Sequence, residues 1–195
     1  MAYTTVADVK TYVGLTSADD DVLITTLIAS AQRIIDLHCR RTFEAPADTT
    51  RYFHAERATL HTGSRVLMLD EDLCQITSVT NGDGTVVAAS EYVTQPTNRT
   101  PWYALELKAS SNICWTYSVA PENAIAIVGR WSYSVTAPSD IVYAALRLVS
   151  WLYRQRDTQA EQERPIIAAS GAMLMPVRLP ADVLEILTIY RRNVV

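Results

Sequence analysis

Three groups of residues have the types that chemistry uses, and their spacing decides against each. His38 and Cys39 are adjacent and could form a metal or nucleophile pair. They fall within a helical pattern, where neighbours point about 100° apart and cannot easily share one ligand site. His54 and His61 could meet across a turn, but no cysteine or acid completes a coordination set. The trios Asp19, Asp20, Asp21 and Asp70, Glu71, Asp72 could do acid–base work only if burial split their pKa values. The first precedes an apolar helix and reads as its cap; it lacks the alternating spacing of a calcium loop. The second follows a strand and reads as a solvated turn. No GxSxG, Walker loop, GxGxxG or HExxH occurs. The expectation is therefore no catalytic residue, no metal and no cofactor.

Other side chains suggest contact surfaces. Trp115, Trp131 and Trp151 read as core or interface anchors, given the area each buries. Trp102 and Tyr103, if exposed, would suit a sugar site. Met173, Leu174 and Met175 lie between Gly171 and Pro176, off any helical spacing. Flexible methionines suit adaptable surfaces, and an unburied apolar segment marks a partner site.

The elements that position these residues follow from periodicity. Thr4 or Thr5 caps a short helix with Asp8 in its first turn, and Gly14 ends it. A second helix is expected over 20–41, with Leu23, Ile24, Leu27, Ile28, Ala31, Ile34 and Ile35 at three- and four-residue spacing. From 50 to about 133 the pattern is short and β-prone, at 66–69, 76–79, 86–87, 92–94, 104–107, 113–117 and 124–128. Asn81 to Gly84 is a hairpin signal. A third helix is expected over 138–156, buried through Ile141, Ala145, Leu148, Val149 and Leu152. A long connection over 157–180 precedes a final helix from Asp182, whose Val183, Ile186, Leu187 and Tyr190 share one face. Arg191 and Arg192 close it, favourable to the helix dipole. The fold class is α+β: a helical bundle body of about four helices, residues 1–49 and 135–195, with a small antiparallel β domain of about six strands inserted at 50–134.

Composition sets the remaining bounds. The 195 residues are 49% hydrophobic and 19% charged, with formal net charge −4. That is globular composition. No basic run suits phosphate neutralisation, so DNA binding is not the main task. No apolar run reaches the roughly 18 residues of a membrane span, and no secretion signal is read at the N-terminus. Cys39, Cys74 and Cys114 form neither a disulfide framework nor a CxxC pair. Reduced thiols made in a cytoplasm are expected.

In order along the chain, four segments resemble the head–tail connector (adaptor) proteins of tailed bacteriophages. They are Val6 to Leu15, Asp20 to Phe43, Val128 to Ala145, and Leu179 to Leu187 with Tyr190, Arg191 and Arg192. The strand block resembles members that carry an inserted β domain. The resemblance implies a non-enzymatic virion protein of the neck. It implies a ring of copies, usually twelvefold, beneath the portal protein, with a stopper or tail-completion protein below. DNA passes through the channel without specific binding, and no membrane is involved. It places the tail, Val183, Ile186, Leu187, Tyr190, Arg191 and Arg192, against the portal. With the apolar Met173, Leu174 and Met175, in a segment that departs from the family by its apolarity, these make the expected partner-binding set. On this reading, removal of 181–195 leaves a folded body that no longer binds portal. The other readings are a tail-completion or tail-tube-end protein, or a carbohydrate-binding β module.

Overall fold

The computed structural model describes residues 2–56, 65–155 and 179–192, and the backbone alone at 166–167 and 173–174. The chain forms two compact units, one over 41–137 and one from residues 2–40 together with those from Pro138 onward. Among the described residues, four helices, two three-stranded antiparallel sheets and a two-stranded ribbon make the fold α+β.

The helical unit opens with α1, Val6–Val13. Thr5 Oγ1 accepts from the Asp8 N–H at 3.2 Å, and the Asp8 carboxylate accepts from the Thr5 N–H at 3.3 Å. This capping box satisfies two orphan donors of the first turn. Gly14, at φ 83°, supplies the left-handed C-cap. Helix α2 is Asp21–Cys39, two residues short of its expected end, because Arg40 turns left-handed at φ 55°. Asp20 makes no side-chain cap. Its carboxylate instead accepts from Tyr153 Oη at 2.5 Å, and Asp21 pairs with Lys10 Nζ at 2.9 Å. This acidic trio thus ties helices together more than it caps one.

The buried stripe of α2 is Ile24, Ile28, Ala31, Ile35 and Cys39; Leu23, Leu27 and Ile34 are half-exposed flanks. Helix α3, Ser139–Gln155, buries Ile141, Ala144, Ala145, Leu148, Val149 and Tyr153, while Leu152 is only half-buried. It touches α1, α2 and the final helix α4, Ala181–Tyr190, so it is the centre of the unit. Ile28→Ala and Leu148→Ala should each cost about 2–5 kcal/mol by leaving a cavity. Leu27→Ala should cost less. Denaturant unfolding of the three variants checks this order.

Among the described residues, α2 alone has the length and composition of a membrane span. Its Thr, Ser and Ala residues make this possible without a continuous aliphatic run. Its isoleucine stripe is nevertheless spent on α3 and α4.

In the β unit, one sheet has the order β1 (Thr49–Phe53), β6 (Ile125–Arg130), β3 (Gln75–Thr80). The other has the order β2 (Val66–Leu73), β5 (Trp102–Leu107), β4 (Tyr92–Gln95). Cys74 alone separates β2 from β3, so the chain changes sheets at one residue. Both sheets contribute to one core, with Phe53, Val79 and Ile127 from the first and Leu67, Leu105 and Leu107 from the second. Gly129 sits where a Cβ would lie 2.2 Å from the Gln75 carbonyl oxygen, so the β3–β6 approach requires glycine.

Two expected strands are not regular strands. Val86 forms only an isolated bridge to Thr80, closing the tight turn in which Gly84 adopts φ 85°. Residues 113–117 form no ladder beyond an isolated bridge from Tyr117 to Gly82, and Trp115 there is held by its indole N–H on the Arg65 carbonyl at 2.9 Å. Conversely, β1 carries Thr49, Thr50 and Arg51, too polar to announce itself by alternation.

The two ends of this unit are fastened together. The Tyr133 N–H donates to the Thr42 carbonyl at 2.9 Å, Ser134 Oγ donates to the Phe43 carbonyl at 3.1 Å, and Glu44 bridges Ser134. Phe43 stacks at a tilt on Tyr133, 5.7 Å between centroids.

Candidate functional site

The expected partner-binding set divides three ways. Met175 lies outside the described residues. Met173 and Leu174 form β8 and pair antiparallel with Ile167 and Ile166 of β7, so this part of the expected loop is a short β-ribbon. The remaining six residues belong to α4 or its exit.

Helix α4 begins after Pro180, whose fixed φ suits a helix entry. Val183 and Leu187 are fully buried in the helical unit. Ile186 and Tyr190 are half-buried on the same side. Four polar ties hold the helix. Arg147 Nε donates to Asp182 Oδ2 at 2.8 Å, and Cys39 Sγ donates to the Leu187 carbonyl at 3.5 Å. Tyr190 Oη donates to Asp140 at 3.1 Å, and the Arg192 N–H donates to the Cys39 carbonyl at 2.9 Å. The predicted stripe therefore seats the helix on its own unit. What α4 presents outward is Glu185, Thr188, Ile189 and Arg191. Ile189 is 80% exposed and lies off the predicted stripe; its only signal in the sequence was an isoleucine on the wrong face.

The hydrogen bond from Arg147 holds the Asp182 carboxyl below the usual carboxylate range. A depressed carboxylate contributes stability above its unfolded pKa and loses it as pH falls through its folded pKa. The pair is solvent-screened, so Asp182→Asn should cost less than about 1 kcal/mol at neutral pH. The deficit should vanish on acidification below the carboxylate range. Urea unfolding at both pH values reads the convergence.

The other sequence candidates take structural places. Cys39 and Cys74 are buried, Cys114 is exposed, and none of the three forms a disulfide among the described residues. His54 is described and His61 is not. Among the described residues no group of three His, Cys, Asp or Glu could hold a metal. The Asp70 trio lies within β2, not in a turn. Arg51 pairs with Glu71 at 2.6 Å and Asp70 at 3.6 Å, and it lies 4.9 Å over the Trp131 ring. Asp72 is buried beside Arg41 at 3.4 Å. Trp115 and Trp131 are core residues, whereas Trp151 is half-buried. Trp102 packs against the β core, leaving only Tyr103 of the supposed sugar platform exposed.

Comparison with protein families decides the affiliation: the head completion protein model matches residues 2–193. The chain belongs to the head completion protein family. The protein is thus a completion component of the phage head–tail junction. No curated protein matches this head completion protein. Its fold is similar to that of a chain in the neck of an empty gene transfer agent (GTA) particle computed with C6 symmetry. That chain is 14% identical at TM-score 0.61, covering 99% of this chain and 91% of the other. A chain in the virion of native GTA gives 16% identity and TM-score 0.60, covering 99% and 91%. One in the native GTA neck computed with C12 symmetry gives 14% and 0.57, covering 97% and 89%.

Proposed function

We propose that this head completion protein is the adaptor of the neck. Copies form a ring, twelve by the symmetry of one similar neck, that docks beneath the portal, extends the DNA channel and receives a stopper or tail-completion protein. The observation that carries this reading is the fold likeness to GTA neck chains over 97–99% of the chain, combined with family membership. The role is structural and not enzymatic. A formal charge of −4 suits a channel wall that lets a polyanion pass without gripping it.

The portal contact is assigned to the C-terminal portion. Met173, Leu174 and Met175 supply an apolar segment, and Arg191 and Arg192 stand at the exit of α4. Val183, Ile186, Leu187 and Tyr190 act indirectly, by seating the helix. Co-sedimentation with the purified cognate portal ring tests the proposal. Wild-type protein should pellet with portal as a multimer, and Arg191→Glu/Arg192→Glu should weaken binding while leaving the circular dichroism unchanged. A two-fold dimer unaffected by portal would contradict the adaptor role.

A further inference from the structure

Two outward faces of the helical unit match each other. Opposite the isoleucine stripe, α2 carries Val22, 82% exposed, then Arg33 and Leu37, the latter 61% exposed. Opposite Val183 and Leu187, α4 carries Glu185 and Ile189, 80% exposed. Val22, Leu37 and Ile189 are the large aliphatics that these two helices leave exposed.

The two faces share a spacing and differ in sign. On α2 a cation is followed four positions later by an exposed aliphatic, Arg33 then Leu37. On α4 an anion is followed four positions later by one, Glu185 then Ile189. Residues four apart lie on one helical stripe, so each pair forms a compact two-part contact. Neither face suits itself: a two-fold pairing of α2 would set Arg33 against Arg33. Pairing α2 with α4 is heterologous, and such an interface closes into a ring when repeated by rotation. Set side by side in the same sense, α2 of one copy and α4 of the next bring Arg33 to Glu185 and Leu37 to Ile189 in one register.

We infer that the outer face of α2, at Arg33 and Leu37, receives the outer face of α4, at Glu185 and Ile189, from the next copy of this chain. This rests on the ring reading above. The test uses Arg33→Glu, Glu185→Arg and their equimolar mixture, loaded onto the purified cognate portal ring and weighed by sedimentation. Both residues are exposed, so the melting curves should match wild type. Each single variant should load at least about tenfold less, because like charges then face each other at every interface. The mixture should recover to within about twofold, since alternation around an even ring pairs every reversed charge with its complement. Single variants that load like wild type would overturn the interface while leaving the adaptor role standing. So would a loss that mixing does not rescue, which would assign these faces to the portal or to another segment of the chain. Wild-type protein that loads no portal overturns both.

Discussion

Removing residues 181–195 should unfold the helical unit rather than merely trim its end. Val183 and Leu187 have no exposed surface, and deleting α4 opens the cavity of both at once. A single buried Leu→Ala change costs about 2–5 kcal/mol. The deletion also strips partners from Arg147, the Cys39 thiol and the Cys39 carbonyl. Total stability of a domain is about 5–15 kcal/mol, so the loss approaches the whole. The expected signature is a large fall in helical circular dichroism and lost amide protection in α2 and α3. A truncation that melts within a few degrees of the full chain would remove the argument. The family resemblance, which places this tail against the portal, predicts a folded body after the deletion. A stripe shows that a short helix must dock, but not on what. Here it docks at home, so the proposed portal contact must be probed with exposed substitutions.

The second large effect is expected in the β unit. Asp72 and Arg41 are both largely removed from water, 3.4 Å apart, and Arg41 also lies 5.2 Å over the Tyr133 ring. Asp72→Ala leaves a guanidinium in that site without its counter-charge, a change that costs about 3–5 kcal/mol. Replacing both charges with apolar residues of similar volume, Arg41→Met with Asp72→Leu, should recover most of the loss. Chemical denaturation of the single and double variants measures the coupling. Equal destabilisation by the single and the double change would mean that packing, not charge, dominates there.

The helices were readable because their signals are local. Thr5 with Asp8, Gly14, and the spacing of Ile24, Ile28 and Ile35 each act within a few residues. The strands were readable where burial alternates, as in β6, and unreadable where a strand earns its place by long-range pairing. β1 is the case in point: Arg51 is there because Trp131, Asp70 and Glu71 receive it, and none of these is near it in sequence. Asp72 misled for the same reason, since its partner Arg41 lies far upstream. In the candidate site, the inward stripe of α4 was legible by periodicity. Ile189 and Glu185 were not, because an outward residue becomes meaningful only once the inward side is known to be occupied.

The fastening of Thr42 to Tyr133 has an evolutionary meaning. An excursion that leaves and returns at hydrogen-bonded neighbours is, for the rest of the chain, equivalent to a tight turn whatever its length. Such a cassette can be enlarged, exchanged or replaced by a short loop while the remaining chain keeps its own closure entropy. Residues 42 and 133 are accordingly the natural splice points for grafting a foreign domain into the particle.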